Sequence, residues 1–292
     1  PDYFFRESQF AISNIEFRKK AKMGVKEVEA IKEEIRDIIE RYLEIEDVWG
    51  CVPSFANPVK EMLVASEDDV YEVVKKLKDA WNIGEDGILS VTDLLESKNI
   101  KVVEIKADSS FDGLSGYVNN DENMPFVVVN KSFDVERLRF TGLHELGHLV
   151  MNLPEEMEKK DKERLCNLFA SEMLISRDIF VDVLGERRSD ISLQELKVLQ
   201  AVYGISVDAL MFKAKTVGVI SESKYTSFCI RKNKSLAFKD AVERSSYRGV
   251  EESSRFDRLV YRALASDMIS CSKAAVLLNE PMEEVKNKLE LV

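Results

Sequence analysis

The chain has little of the residue types that build disulfide scaffolds, thiolate zinc sites or membrane helices. It contains four cysteines in 292 residues, and Cys51, Cys166, Cys229 and Cys271 are far apart without a Cys-x-x-Cys pair. This pattern suggests neither a disulfide framework nor a zinc finger, so we expect the thiols to be reduced and structural. No stretch approaches the roughly 20 apolar residues of a membrane helix, and no basic-then-apolar secretion signal begins the chain. We therefore expect a cytoplasmic protein that does not bind membranes.

Basic residues are also fewer than acidic residues. The 42 lysines and arginines are outnumbered by 53 aspartates and glutamates, which gives a net charge of -11. A negative protein repels phosphate backbones, so we expect DNA binding to be weak or to require a further domain. The chain begins at Pro1 rather than at methionine, which leaves room for such a domain upstream. With 45% hydrophobic residues, the chain can fill one large core or two modest ones.

The segment at residues 25–48 repeats apolar residues alternately three and four positions apart. This period predicts a helix with a narrow hydrophobic seam. We interpret the seam as packing on the protein's own body, with a homodimer through this N-terminal helix as the alternative. The basic residues just before it, Arg18, Lys19, Lys20 and Lys22, are interpreted as solvated surface, with DNA or partner binding as the alternative.

Periodicity and turn residues then predict a small sheet among helices. Helices are expected at residues 70–81 and 92–97. The predicted strands are residues 100–105, 114–118 and 126–129, in a mostly antiparallel sheet. Two further helices should begin at Ser132 or Asp134 and at about Asp161, and end near Asn152 and Ile175.

The C-terminal third contains two helix pairs that resemble helix-turn-helix units. They are residues 193–203 with 207–215, and residues 272–278 with 282–289. Neither second helix is notably basic. We therefore interpret both pairs as helices that pack at an angle, with DNA binding as the alternative.

Both histidines of the chain fall in one string, His144-Glu145-Leu146-Gly147-His148. Residues four apart project from one face of a helix, so both imidazoles can bind a single metal ion. The pattern H-E-x-x-H is typical of zinc peptidases, in which the rings bind Zn²⁺ and the glutamate acts as general base. A chance match on a surface helix is the alternative. The apolar residues around the motif argue against it, because they predict a buried helix in which polar side chains need a function.

A catalytic zinc ion usually has three protein ligands, and the chain has no third histidine. We therefore expect a carboxylate from the following helix. Glu163, Cys166, Asn167 and Ala170 share one helical face there, with small side chains that allow close approach to the histidine helix. Glu163 is the predicted third ligand, and Asn167 is expected to hydrogen-bond a ligand imidazole. Glu172 is the reserve ligand.

The sequence indicates substrate-binding residues less clearly than metal ligands. Tyr117 and Arg139 are candidates for stabilising a tetrahedral oxyanion, although a structural role is the simpler interpretation of each. The strand at residues 126–130 precedes the histidine helix, and at a sheet edge it would bind an extended peptide by strand addition.

Several segments resemble the ImmA/IrrE metallopeptidase family. They are residues 113–117, 126–130, 136–141 with the histidine helix, and 166–170. The resemblance is dense over about residues 100–175, and weaker similarity extends to longer members that carry an N-terminal helix-turn-helix domain of the XRE type. It implies an intracellular protease that inactivates helix-turn-helix repressors, with zinc bound by His144, His148 and Glu163 and with Glu145 catalytic. Cys166 stands where the family usually has alanine. This changes only the size of the side chain unless the thiolate contacts the metal. Ile175-Ser176 replaces the methionine-proline that commonly ends this helix in the family.

These observations predict an α+β, mostly helical, zincin-like metallopeptidase domain with a small, mainly antiparallel sheet and helical flanking regions. We expect an N-terminal helical arm or linker at 1–52, the metallopeptidase domain at 53–190, and a C-terminal helical region at 191–292. The expected function is cleavage of a specific repressor or regulatory partner by an endopeptidase with one Zn²⁺ per chain. The alternative is a DNA-associated regulator or an antitoxin-like protein in which the zinc domain is a sensor or binding platform.

Overall fold

The computed structural model describes residues 12–13, 24–50, 54–118 and 121–289. Within them the chain is mostly helical with one small mixed sheet, which confirms the predicted α+β class. The basic cluster at 18–22 and Cys51 lie outside the described residues. Among the described residues, Cys166, Cys229 and Cys271 form no disulfide. None of the helices in the described ranges is both long enough and apolar enough to cross a membrane.

The described chain forms four strands and thirteen helices. The strands are β1 (Ile12–Ser13), β2 (Lys101–Ile105), β3 (Gly113–Val118) and β4 (Pro125–Asn130). The helices are α1 (Val25–Val48), α2 (Glu67–Trp81), α3 (Val91–Ser97), α4 (Val135–Val150), α5 (Lys159–Leu174), α6 (Arg177–Leu184), α7 (Leu193–Tyr203), α8 (Val207–Thr216), α9 (Glu222–Lys234), α10 (Leu236–Glu243), α11 (Arg255–Ala265), α12 (Cys271–Leu278) and α13 (Met282–Lys288). Helices α6, α9, α10 and α11 are not among the elements predicted from the sequence.

The sheet has the strand order β1-β3-β4-β2. Strands β3 and β4 pair antiparallel, with Gly113 opposite Val129, and the short β1 is antiparallel to β3. Strand β2 is parallel to β4, so the sheet is mixed with antiparallel pairs in the majority. Because β4 is bonded on both sides, its backbone groups are already used and it cannot receive a peptide by strand addition. The prediction of a peptide-binding edge at residues 126–130 was therefore wrong.

The chain divides into two compact units, one of which contains the sheet. This sheet unit consists of the described residues of Pro1–Ala56, Thr92–Ser132 and Glu252–Val292. The apolar seam of α1 packs on the sheet, where Ile35 and Ile39 join a core with Leu114, Phe126 and Val128. The predicted packing of this helix on the protein's own body is confirmed. Further along α1, Ile45 packs with residues of α11 to α13.

The second unit consists of Asn57–Val91 and Phe133–Glu251, and helices are its only named elements among the described residues. In this helical unit α4 lies against α5, and α2 packs on α5. Helix α2 begins with a capping box, in which Ser66 accepts from the backbone of Asp69 and Asp69 accepts in return. The predicted helix pair near residue 200 is α7 and α8, separated by Gly204 in the left-handed region.

Candidate metal centre

Helix α4 carries the histidine motif and is largely buried. Its first turn contains Glu136, which suits the positive end of the helix dipole, and it ends at Val150, ahead of Pro154. His144 and Glu145 are almost fully buried, with 1% and 2% of their surface exposed. Gly147 allows the close approach of α5, because a Cβ at this position would lie 3.2 Å from Cδ1 of Phe169. The apolar surroundings of the motif confirm the prediction of a buried helix.

The two imidazoles converge on one point. The Nε2 atoms of His144 and His148 are 3.0 Å apart, and their ring planes are inclined by 58°. This closeness follows from the four-residue spacing on one helical turn. Two nitrogens at this separation either share a hydrogen bond, with the proton on one of them, or direct both lone pairs at one cation.

Glu163 of α5 completes a triangle with the two rings. One carboxylate oxygen lies 3.6 Å from Nε2 of His144, and the other lies 3.6 Å from Nε2 of His148. The predicted convergence of Glu163 with the histidines is thus present, because α5 lies directly against α4. The triangle brings a negatively charged group to the point at which the two imidazoles meet.

Asn167 lies one turn beyond Glu163 and orients a ring. Its Oδ1 atom is 2.8 Å from Nδ1 of His144. With Oδ1 as acceptor, Nδ1 carries the proton and Nε2 presents its lone pair towards His148 and Glu163. This is the usual way in which a supporting group sets the tautomer of a metal-binding histidine.

Cys166 is closer to the histidines than its expected role as a small core residue requires. Its side chain is fully buried. Ligand atoms of His144, His148 and Cys166 all lie within 4.8 Å of one another. The sequence contains the signal for this proximity, because Cys166 shares a helical face with Glu163, but the distance itself depends on how α5 packs against α4.

The reserve ligand, Glu172, is held by other contacts. Glu172 forms a buried ion pair with Lys213 and accepts a hydrogen bond from the backbone N–H of Arg177, so the reserve ligand has a structural role. Burial lowers the pKa of Lys213, and the Glu172 carboxylate opposes that shift. Burial also raises the pKa of Tyr117 in β3 to about 12.

Arg139 lies five residues before His144 and is fully buried. Its guanidinium donates to the carbonyl oxygens of Ile88, Leu89 and Tyr203, to the hydroxyl of Tyr247 and to the carboxylate of Glu251. These contacts hold the guanidinium away from any role as oxyanion stabiliser. They anchor α4 within the helical unit.

The donor set fits a zinc ion. Zn–N bonds of about 2.0–2.1 Å at tetrahedral angles place neighbouring donors roughly 3.4 Å apart. The separations of 3.0 and 3.6 Å between these donors lie on either side of that value. Two neutral imidazoles and one carboxylate are also a donor set known for catalytic zinc.

A comparison with protein families places this site in a known group. The peptidase M78 family model, described as the IrrE N-terminal-like domain, matches residues 95–215. The matched range contains α4, α5 and all the candidate metal-binding side chains. Comparison with the curated proteins gives no significant match. Residues 95–215 are therefore similar to the IrrE N-terminal-like domain of the M78 metallopeptidases.

Proposed function

We propose that the chain is a zinc-dependent endopeptidase that cleaves a specific protein partner. The observation that carries the proposal is the 3.6 Å distance from the Glu163 carboxylate to Nε2 of both His144 and His148. In this proposal the three side chains hold one Zn²⁺ per chain, and Asn167 fixes the His144 ring. Three protein ligands leave a coordination position for a reactant, as in catalytic rather than structural zinc sites.

Glu145 is the proposed general base. It follows His144 directly on α4 and is shielded from bulk solvent. A zinc ion bound there would lower the pKa of a water molecule and polarise the substrate carbonyl. Glu145 accepts the proton of the attacking water and donates it to the departing amide nitrogen. Exclusion of bulk water keeps that proton between the carboxylate and the substrate.

The proposed substrate is a helix-turn-helix transcriptional repressor in the cytoplasm. The match of residues 95–215 to a peptidase family supports a protein substrate, and the resemblance to repressor-inactivating members supports this class. The net charge of -11 favours encounter with a basic partner, and DNA-binding repressors carry basic surfaces. A homodimer through α1 is not part of the proposal, because the apolar seam of this helix is buried in its own unit.

The competing proposal is a DNA-associated regulator or antitoxin-like protein in which the metal only holds the fold. The helix pairs α7–α8 and α12–α13 support it, because their sequences resemble helix-turn-helix units. In α8, however, Lys213 is buried in its ion pair with Glu172, and Lys215 lies 3.5 Å from Glu222. These lysines are neutralised by neighbours, so the pair offers little positive charge to a phosphate backbone.

The deciding experiment compares the wild type with Glu145→Gln. Each protein is incubated with the repressor encoded beside its gene, and new peptide termini are mapped by mass spectrometry, also in cells that express either form. Glu145→Gln should abolish cleavage while retaining one zinc per chain and partner binding, because only proton transfer is lost. Glu156→Gln, an exposed glutamate between α4 and α5, is the matched control and should cleave like the wild type.

The same experiment can reject the peptidase. If the wild type carries one zinc per chain but produces no terminus that is missing with Glu145→Gln, the enzymatic proposal fails. Retained partner binding in both proteins would then favour the antitoxin-like alternative.

A further inference from the structure

The Cys166 thiol lies beside the two histidines of the candidate metal centre. It is one helical turn after Glu163 on α5 and has no exposed surface. A buried thiol alone is an ordinary small core residue. Here two imidazole nitrogens lie within 4.8 Å of the sulfur, and the three groups together form a ligand cluster.

The distances leave the sulfur within reach of a shared ion. A Zn–S bond of about 2.3 Å and a Zn–N bond of about 2.1 Å at a tetrahedral angle separate the two donors by roughly 3.6 Å. The observed upper limit of 4.8 Å exceeds this by about 1 Å. Rotation about χ1 can move a cysteine sulfur by that amount without a change in the backbone.

We propose that Cys166 is a fourth, conditional ligand of the metal ion held by His144, His148 and Glu163. The inference rests on the proposed metallopeptidase function. Thiolate is among the preferred ligands of zinc, and four protein ligands are the mark of closed sites that do no chemistry. With the thiolate bound, the position needed by a reactant is filled and the peptidase is latent. With the thiolate turned away, His144, His148 and Glu163 remain and the site is open.

The arrangement of donors on α5 supports this assignment. Glu163 and Cys166 are separated by three residues, so both project towards α4 from the same face. Their exposures differ, since the Glu163 side chain is 27% exposed whereas Cys166 is fully buried. The thiol thus reaches the ion from the protein interior and the carboxylate from the solvent side. Alanine at position 166 would remove the thiol and leave a void the size of the sulfur atom.

Cobalt spectroscopy tests the proposal on the full chain. The protein is stripped of metal, kept reduced with a phosphine and titrated with Co²⁺, and bound cobalt is counted by elemental analysis. The wild type should bind one Co²⁺ and develop a thiolate-to-cobalt charge-transfer absorption in the near ultraviolet, which nitrogen and oxygen ligands do not produce. Cys166→Ala should bind one Co²⁺ without that absorption. Cys229→Ala, which removes a thiol elsewhere in the helical unit, should match the wild type.

Zinc affinity gives another readout that does not depend on a substrate. In competition with a chromogenic chelator, Cys166→Ala should bind Zn²⁺ more weakly than the wild type and Cys229→Ala, by roughly 10- to 100-fold. Affinities that agree within error would count against the thiol as a ligand.

The outcomes separate the two proposals. One Co²⁺ per wild-type chain without the charge-transfer absorption would overturn the role of Cys166 and leave the peptidase proposal intact. Failure of the wild type to bind Co²⁺ or Zn²⁺ in stoichiometric amount would overturn both. The wild-type spectrum alone decides between these results, so the test does not depend on how well a variant folds.

Discussion

A single hydrogen bond determines how His144 can serve a metal ion. Nδ1 of its ring is 2.8 Å from Oδ1 of Asn167, so the ring has a fixed orientation with Nε2 directed at the other donors. His144 is nearly fully buried, and water cannot easily replace a lost partner at Nδ1. Asn167 is therefore expected to act on metal affinity through the ring rather than by touching the ion.

Asn167→Ala should weaken Zn²⁺ binding by roughly 10- to 100-fold, because the ring loses the group that sets its tautomer and orientation. Chelator competition measures the change, and circular dichroism checks that the helices persist. Asn233→Ala, at an exposed position on α9, is the control and should leave affinity unchanged. Equal affinity for Asn167→Ala and the wild type would show that Asn167 does not orient a ligand.

The turn between α7 and α8 contains Gly204, which lies against the buried side chain of Arg139. Gly204 ends α7 with φ of 59°, a conformation that costs residues with a side chain about 1–2 kcal/mol. A Cβ on Gly204 would also lie 2.4 Å from Nε of Arg139, which is fully buried and held by its hydrogen bonds. Backbone conformation and packing therefore both require glycine at this turn.

Gly204→Ala should lower the free energy of unfolding by more than the roughly 1–2 kcal/mol of backbone strain, because the buried Arg139 must also move. Gly218→Ala separates the two contributions. Gly218 has φ of 81°, but nothing lies within 4 Å of its Cβ position, so its substitution carries strain alone. Urea unfolding of both variants measures the difference, and equal losses would mean that the approach of Arg139 to Gly204 is unimportant.

The charge of the whole molecule bears on its choice of partner. The net charge of -11 creates a field that repels nucleic acid and attracts basic proteins. Several lysines of the helical unit are already paired with acidic neighbours, including Lys224 with Asp190 and Lys232 with Asp208. The electrostatics therefore favour a basic protein over DNA as partner.

The chain should not shift duplex DNA in an electrophoretic assay, even at low salt, where non-specific contacts are strongest. It should instead bind a basic repressor with an association rate that falls as salt is added. The assay uses the same concentrations of Glu145→Gln for both partners, so that cleavage does not remove the repressor. A DNA shift that weakens with salt would favour the DNA-associated regulator.

The sequence predicts local structure well where a short repeat contains the information. The period of three and four residues in α1 and the short strand-like runs bounded by turn residues in β3 and β4 each predict an element that the structure confirms. Helix α9, in which Phe228 is the only buried residue, is not predicted in this way. The three consecutive regions expected at 1–52, 53–190 and 191–292 stay a prediction.

Much of the candidate metal centre could also be predicted from the sequence. The helical spacing of His144 and His148 alone brings their Nε2 atoms together, because the contact is made within one turn. Glu163 and Asn167 could be named because they share one face of the next helix. The distances from Glu163 and Asn167 to the imidazole rings could not be predicted, because they depend on how closely α5 packs on α4 at Gly147 and Phe169.

By itself the sequence determined which residues are candidates for the chemistry, since periodicity, charge and the histidine motif are properties of neighbouring positions along the chain. Only the tertiary structure decided that β4 is central rather than at an edge, that Glu172 and Arg139 are bound elsewhere, and that the Cys166 sulfur lies beside both imidazoles. The physical reason is that these contacts join residues far apart in sequence. They form only when side-chain packing has set the distances between helices and strands.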